Sequence, residues 1–331
     1  MVKNGSKDGK PRWVCRACKR SFGPTFGTPM YRLRTSPAEI AKALLVVMRR
    51  GSLSAAEEIT GHKYETISRW LKVAALQAEA ITSALVNDLN LSEVEVDAFW
   101  SFVKKKRASS GEEGSKETGV GPRWGCISLD RATRFVVAWG FGSCEEDVAP
   151  NVVELTRRRT HNRAGVPWVS DGKAVYRKYV RKVYRDPHRT GKRGRPPLLA
   201  TPGAGLTQAV KRRVGGRVVG IEVRHMFGEG VGCPYVVYQE RLNGVLRDRL
   251  NCLTRKTHAF AKEEGMWDCA VVMCLFENNW LRPHPALKVK AEGLAGRRYL
   301  RRSPAMAVGL TDHVWSWEEF LTFRCYHYYR E

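Results

Sequence analysis

The sequence predicts an α+β/α/β protein in which a short N-terminal segment and a group of helices precede a mixed β-sheet flanked by helices. Apolar residues in 35–79 follow a helical period, and 91–142 contains three successive strand-like runs. Helical and strand-like segments then alternate from residue 145 onward. With 331 residues, of which 43% are apolar, the chain is long enough to bury a core.

The charge balance is strongly basic, with 57 Lys and Arg against 33 Asp and Glu, a formal net charge of +24. Basic residues occur from end to end, which predicts a polyanionic partner, most often nucleic acid; a generally basic protein of the ribosomal type is the alternative. No apolar run approaches the roughly 20 residues that span a bilayer, so no membrane partner is expected. The nine cysteines do not resemble a secreted disulfide framework, and the expected location is cytoplasmic, at the nucleoid.

Residues 1–34 contain a possible metal-binding pair. Cys15 and Cys18 have the spacing of a zinc knuckle, and Phe22 is an aromatic residue typical of a zinc ribbon. A closed site needs four ligands, and no second pair stands nearby. We therefore predict a partial zinc ribbon that either holds Zn²⁺ incompletely or holds none.

Residues 35–79 predict a helix-turn-helix domain. Ser36 can cap a helix with Pro37 at its first position, and Gly61 marks a tight turn before a third helix. That third helix would direct Lys63, Glu65, Thr66, Ser68 and Arg69 toward a DNA major groove. A plain three-helix core is the alternative. A helical linker, 80–92, follows.

A catalytic domain is predicted over 93–290, beginning with a strand that carries Asp97. Valines at 94 and 96 alternate with acidic residues at the two-residue period of a strand. A carboxylate on a buried central strand is costly unless it is protonated, hydrogen-bonded or bound to metal. Two further strands, 124–129 and 135–141, form a hairpin, and 145–159 is an amphipathic helix.

A short buried strand, 166–169, is followed directly by Ser170, Asp171 and Gly172, and a helix begins at Lys173. Three antiparallel strands, a helix, a strand and a helix form the order expected of a ribonuclease H-like (retroviral integrase-like) mixed sheet. A carboxylate at the C-terminal end of such a strand lies at the working edge of the sheet. The alternative for Asp171 is a helix cap.

Residues 186–217 form a basic insertion rich in Pro, Gly and Arg, which predicts irregular structure, followed by a strand at 218–226. Arg193 and Arg195 resemble the core of an AT-hook and would suit phosphates or a narrow minor groove; a solvated basic loop is the alternative.

The segment 238–263 places four leucines on one helical stripe, with Glu240, Asn243 and Arg247 on an adjacent face, where they can meet one phosphodiester. Arg255 and Lys256 continue the basic character. A surface ion pair of Glu240 with a neighbouring arginine is the alternative. A second apolar helix is expected at 267–280, and 291–331 is a C-terminal tail that packs back on the core.

The chain resembles a known family, the DDE transposases of small prokaryotic insertion sequences. Within that family it is similar to the group typified by insertion sequence one, which has an integrase-like ribonuclease H fold. The resemblance spans nearly the whole chain. It rests on Cys15 and Cys18 with Phe22 and Tyr31 to Arg34, the helix-turn-helix, Glu95 and Asp97 with Trp100, Ser170 to Gly172, Glu240 to Asn243, Arg255 to Thr257, Asn279 with Arg282 to His284, and Pro304 to Met306 with Gly309 to His313.

This resemblance implies that Asp97, Asp171 and Glu240 are the catalytic, metal-binding acids, with two Mg²⁺ or Mn²⁺ ions as cofactors. Two such ions about 4 Å apart activate the attacking oxygen and stabilise the leaving one. The segment before Glu240 departs from the family pattern. The first cysteine pair of the family is also missing, which indicates truncation, a misplaced start or a decayed copy.

The resemblance implies DNA transposition, in which the helix-turn-helix binds terminal inverted repeats and the core cleaves strands and joins the 3′-hydroxyl to target DNA. Synapsis of two ends implies a homodimer or higher oligomer. A DNA-binding regulator with a degenerate core, and a nuclease that cuts without joining, are the alternatives. The sequence also leaves His284 open, as a residue that positions a water or phosphate or as a packed histidine.

Overall fold

The structure is a computed structural model that describes residues 1–7, 9–104, 121–189, 191, 193–254, 257–291 and 298–325. Its α-helices are α1 (Pro37–Val47), α2 (Leu53–Thr60), α3 (Tyr64–Leu85), α4 (Glu145–Arg159), α5 (Ala174–Val183), α6 (Val237–Arg249), α7 (Glu264–Phe276), α8 (Pro304–Ala307) and α9 (Trp317–Thr322). Its strands are β1 (Val2–Lys7), β2 (Lys10–Val14), β3 (Ser21–Phe22), β4 (Val94–Val103), β5 (Gly121–Asp130), β6 (Val136–Gly142), β7 (Pro167–Asp171), β8 (Arg185–Pro187), β9 (Leu198–Ala200), β10 (Gly205–Val214), β11 (Arg217–Gly228), β12 (Val289–Lys290) and β13 (Tyr299–Leu300).

The main sheet has six strands in the order β11-β10-β7-β4-β5-β6. Strands β4, β5 and β6 are antiparallel neighbours, β7 runs parallel to both β4 and β10, and β11 is antiparallel to β10. The predicted order of three antiparallel strands, a helix, a strand and a helix is confirmed. This mixed sheet flanked by helices fits a ribonuclease H-like fold.

Both faces of the sheet are covered. On one face, Val94 and Val96 of β4 pack in a cluster with valines of α4 and with Tyr176 of α5. On the other face, Phe99 belongs to a larger cluster that includes the leucines of α6 and the apolar residues of α7. Because successive side chains of a strand alternate between faces, Glu95 and Asp97 share the face of Phe99 and lie under α6.

Capping residues mark the starts of α1 and α2 and the end of α2. Ser36 and Glu39 form a capping box at the start of α1, and Gly61 ends α2 with a φ of 73°, which glycine adopts without steric cost. Helix α3 runs unbroken across residue 79, the predicted end of the domain, and packs on α7. The helices therefore share one apolar core with the sheet.

The C-terminal segment packs back on this core, as predicted. Phe320 and Trp315 are buried in the same cluster as α1 and α3, and the side-chain nitrogen of Gln77 donates to the carbonyl of Phe323 at 2.7 Å. Within the described residues, no helix combines the length and apolar character needed to cross a bilayer.

Two predictions were wrong. The basic insertion 186–217 is not irregular throughout, because β10 lies within it. That strand pairs in parallel with β7 and buries Leu206, so register with the sheet outweighs the local Gly and Pro content. The helical stripe expected over 238–263 is also interrupted, because α6 ends at Arg249. There the carbonyl of Arg249 accepts a hydrogen bond from the backbone nitrogen of Arg50 at 2.9 Å.

Candidate active site and nucleic-acid interface

The three predicted acids line one cleft of about 470 Å³, called here the acid cleft. Val96 of β4 pairs in register with Ser170 of β7, so the next residues along these parallel strands are Asp97 and Asp171. Glu240 enters from the first turn of α6. The remaining lining residues are Gly172, Lys173, Ala209, Val210, Lys211, Arg213, Ile221, Tyr235, Val236 and Val237.

Asp97 is held in an environment that disfavours its negative charge. Burial, followed by repulsion from Asp171, raises the pKa of Asp97 from 3.8 to about 7. A backbone hydrogen bond from Ala98 lowers this pKa in part, and the side-chain nitrogen of Asn243 also donates to Oδ2 of Asp97 at 2.9 Å. A bound cation in the acid cleft would therefore stabilise the ionised form.

Asp171 is less perturbed in the same direction. Burial and the nearby charge of Glu145 raise its pKa, while the backbone nitrogen of Lys173 donates to Oδ1 at 3.1 Å and lowers it. Asp171 therefore accepts a hydrogen bond in the turn before α5 and also lines the acid cleft. It is not the cap of α5, because the N-cap position belongs to Lys173 and has no side-chain cap, so the helix-cap alternative is wrong. Gln208 of β10 donates to the Asp171 carbonyl at 2.6 Å and fixes the backbone there.

Glu240 differs from the two aspartates. Its side chain is 56% exposed and pairs with Nζ of Lys211 at 2.5 Å. The ion pair considered from the sequence is thus present, with a lysine in place of an arginine. Among the residues that the structure describes, no group of three or more His, Cys, Asp and Glu is close enough to hold a metal ion.

The structure adds a buried acid that sequence reasoning missed. Glu145, at the start of α4, is 3% exposed; its Oε1 accepts from the Tyr176 hydroxyl at 2.7 Å, and its Oε2 lies 3.1 Å from Nζ of Lys173. This ion pair raises the pKa of Lys173 and holds its ammonium beside the acid cleft. The position of Lys173 two residues after Asp171 was a usable signal, whereas nothing in the sequence distinguished Glu145 from the acids beside it.

A second missed acid is Glu95. It is fully buried, with its carboxylate 3.1 Å from Nε of Arg131 and accepting from the backbone nitrogen of Gln239 at 2.7 Å. Burial raises its pKa despite these partners. Glu95 therefore ties β4 to the start of α6, the helix that carries Glu240.

The predicted recognition helix is only partly open to solvent. Lys63 and Arg69 are exposed and Thr66 is half-buried, as DNA contacts require. Ser68 differs from expectation, because its hydroxyl lies 3.4 Å from the sulfur of Met266 in α7 and this part of α3 packs against that helix. The cause is the packing of α3 on α7, which the sequence of α3 alone does not reveal.

The other predicted DNA contacts differ in their exposure to solvent. Arg193 and Arg195 are exposed in the segment between β8 and β9. Asn243 is 3% exposed and is a partner of Asp97, so the expectation that it meets a phosphodiester from the helix surface is corrected. Arg247 is half-buried. Arg255 and Lys256 lie outside the described residues.

The N-terminal cysteine pair lies in a turn beside a small antiparallel sheet, β1-β2-β3. Cys15 is half-buried and Cys18 is exposed; backbone hydrogen bonds from Cys18 and Ala17 lower the pKa of the Cys15 thiol. Of the described residues, none joins these two cysteines in a set of three or more metal ligands.

No protein-family model and no curated protein matches the sequence. Among solved structures, the chain is similar to the Mos1 strand transfer complex (13% identity, TM-score 0.17, covering 44% of this chain and 53% of that chain). It is also similar to the Mos1 mariner paired end complex with Mn (13%, 0.17, 44% and 54%) and to the Mos1 transposase paired-end complex with left transposon end (14%, 0.16, 44% and 54%). The match spans about half the length of those chains, and similarity this low carries no functional argument.

Proposed function

We propose that this chain is a DDE-type transposase, a metal-dependent enzyme that cleaves DNA strands and transfers them into target DNA. The observation that carries the proposal is the placement of Asp97 and Asp171 side by side on parallel strands, with Glu240 lining the same cleft. Clustered carboxylates without a cation repel one another, so this arrangement is unfavourable as a purely structural device.

The donor set suits Mg²⁺ or Mn²⁺. These ions prefer oxygen ligands. Burial and then repulsion from Asp171 raise the pKa of Asp97, and a divalent cation would offset both effects by stabilising the ionised carboxylate. Asp97 and Asp171 would hold the metal directly, and Glu240 would join them on release from Lys211. When bound, two such ions activate the attacking oxygen and stabilise the leaving oxygen of a phosphodiester.

The basic residues of the acid cleft would bind the DNA backbone. Lys173, Lys211 and Arg213 all line it and carry the charge that attracts phosphates. Lys211 would exchange Glu240 for a phosphate oxygen when DNA enters. Asn243 would hold Asp97 in the orientation that faces the cleft.

Sequence recognition is assigned to α3. Lys63, Thr66 and Arg69 would contact the terminal repeats of the element, while Arg193 and Arg195 would contact phosphates of the flanking duplex. Synapsis would bring two or more copies of the chain together in a dimer or higher oligomer. Cys15 and Cys18 would contribute two ligands to Zn²⁺.

The second candidate is a DNA-binding regulator. It is favoured by one observation, the engagement of Glu240 by Lys211, which leaves the three acids apart. A nuclease that cuts without joining is a third candidate. The three activities differ in their products, so one assay separates them.

The test is cleavage and joining of labelled duplex DNA that carries the ends flanking the gene, with Mg²⁺ or Mn²⁺, by the parent protein and by Asp97→Asn, Asp171→Asn and Glu240→Gln. We expect each variant to lose about 10³-fold or more in rate, because a metal ligand contributes several kcal/mol to the transition state. DNA binding should stay near the parental level.

Asp248→Asn is the matched control, since Asp248 is an exposed acid on the same helix as Glu240. Joined product from the parent and the control alone supports the transposase. Cleaved but unjoined product supports the nuclease, and specific binding without cleavage by the parent supports the regulator.

A further inference from the structure

A second pocket lies on the other side of α6 from the acid cleft. It encloses about 170 Å³. Tyr238, Arg241 and Val245 of α6 line it at spacings of three and four residues, on a helix face turned away from Glu240. The other lining residues are Leu129, Arg134, Leu242, Asn278, Arg282, Pro283, His284, Pro285 and Ala286. We call it the arginine pocket.

The arginine pocket concentrates positive charge. Arg134, Arg241 and Arg282 each line it, and its described lining residues include no Asp or Glu. A guanidinium presents several N–H donors in a planar fork that matches the oxygens of a phosphate. Three such groups around one cavity, without an acid among them, form an anion site.

The structure also orients one of these donors, Arg134. The guanidinium carbon of Arg134 lies 3.3 Å from the centroid of the Tyr238 ring, so the group is stacked on an aromatic face. Stacking restricts the guanidinium and leaves its edge available for hydrogen bonds. The arginine is thus ordered before any ligand arrives, which lowers the entropic cost of binding.

His284 supplies a neutral donor. Its Nδ1 accepts from the backbone nitrogen of Ala286 at 3.2 Å, so the neutral imidazole carries its proton on Nε2. Partial burial, together with the charges of Arg134 and Arg241, lowers the pKa of His284 and keeps the ring neutral near pH 7. An anion between these groups would offset the repulsion and raise that pKa.

We propose that the arginine pocket binds a phosphate group, supplied either by a DNA strand that continues past the acid cleft or by free inorganic phosphate. The version in which DNA supplies the phosphate rests on the proposed function, whereas the binding of free phosphate does not. The pocket would add a DNA contact outside the acid cleft and would help to hold α6, and therefore Glu240, in place on the substrate.

The first experiment is a titration of the full chain with inorganic phosphate, followed by NMR of the His284 ring. We expect saturable binding, a rise in the pKa of His284 and a loss of affinity of about tenfold or more in Arg241→Gln and in Arg282→Gln, the range for a charged hydrogen bond. Both arginines are exposed, so the fold should tolerate their replacement. Arg158→Gln, an exposed helical arginine on the opposite face of the sheet, should bind as the parent does.

The second experiment measures duplex DNA binding against salt concentration. Arg241→Gln should lower the slope of log affinity against log salt by about one relative to the parent, because one phosphate contact is lost. If the parent binds phosphate but Arg241→Gln has the same salt slope as the parent, the anion site is supported and its role in DNA binding is overturned. Absence of phosphate binding in the parent, with an unchanged slope in the variant, would overturn the whole proposal.

The two proposals can fail separately. If Asp171→Asn cleaves DNA as well as the parent does, the function proposed for the acid cleft is wrong, yet the phosphate titration still reports on the arginine pocket. If the acid variants lose cleavage while Arg241→Gln binds phosphate as the parent does, only the arginine pocket is refuted.

Discussion

The two aspartates and Glu240 line the same cleft, but the aspartates are fixed by strand pairing, whereas the glutamate side chain extends from an exposed position on a helix. Asp97 and Asp171 follow adjacent paired residues of parallel strands, and backbone register fixes them near each other whether or not a cation is present. Glu240 stands on a helix, exposed and paired with Lys211. Strand pairing therefore keeps the two aspartates close enough to repel each other, whereas Glu240 is stabilised by its ion pair with Lys211.

This difference suggests a division of roles. The aspartates form the permanent part of the acid cleft, and their pKa values are raised first by burial and then by nearby negative charge, which a bound metal would offset. Glu240 forms the adjustable part, because its release from Lys211 would complete the site. The three predictions that follow address the cost at the aspartates, the support of Asp97 by α6 and the exchange at Glu240.

The largest effect is expected for Asp97→Asn on the free energy of unfolding in metal-free buffer. Because the pKa of Asp97 in the folded state is about 7, above its unfolded value of 3.8, the folded state holds the proton more tightly. The parent therefore loses stability as pH rises from about 4 to about 7, on the order of 4 kcal/mol. The variant, which has no carboxyl group there, should not show this loss.

Urea denaturation at pH 5, 6, 7 and 8 measures this difference, and Asp248→Asn should follow the parent. Added Mg²⁺ should stabilise the parent above pH 7 more than Asp97→Asn. Parallel stability curves for the parent and Asp97→Asn over this pH range would show that the carboxyl group of Asp97 bears no such cost.

A smaller effect is expected for Asn243→Ala. The amide of Asn243 is the donor from α6 to Asp97, and its loss leaves the buried carboxylate with less support. We expect a further rise in the pKa of Asp97 and a loss of about 1–3 kcal/mol in the free energy of unfolding at pH 8. Carboxyl NMR and urea denaturation measure the two quantities.

Asn87→Ala serves as the control for Asn243, since Asn87 is an exposed asparagine just after α3 whose side-chain nitrogen donates to the carbonyls of Ser83 and Ala84. It should leave the pKa of Asp97 unchanged. If Asn243→Ala also leaves that pKa unchanged, α6 does not tune the acid pair.

The smallest effect is expected for Lys211→Gln. Removing the lysine frees Glu240, so half-saturation with Mn²⁺ should need up to about fivefold less metal, the limit for a surface ion pair of about 1 kcal/mol. Calorimetric titration measures the affinity. Arg213→Gln removes the same charge from the same strand and cleft wall, so an equal gain there would assign the effect to net charge alone.

Much of the fold was predictable because local patterns and tertiary packing agree. The alternation around Asp97, the turn between β5 and β6, and the capping residues of α1 and α2 each specify one element. Where local patterns and tertiary packing disagree, the secondary structure predicted from the sequence was wrong. Strand β10 forms in a Gly- and Arg-rich stretch because β7 offers it a parallel partner, and Leu250 stays buried although its helix has ended.

The candidate site divides in the same way. Asp97 and Asp171 were identifiable from the sequence, because each stands on a strand whose register and polarity are visible in residue types. Lys211 and Glu145 were not identifiable, since their partners lie 29 and 31 residues away and arrive through sheet pairing and helix packing. Ser68 was misjudged for the same reason, because Met266 covers it from another helix.

The sequence by itself determined the order of the elements, the strongly basic surface and the three acids that line the acid cleft. These properties depend on neighbours along the chain, where side-chain period and capping chemistry act over a few residues. Only the tertiary structure decided which acids are buried, which cations they meet and that a separate arginine pocket forms behind α6. Burial and electrostatic coupling depend on distances in space between residues far apart in sequence, and those distances exist only once the sheet and its covering helices have packed.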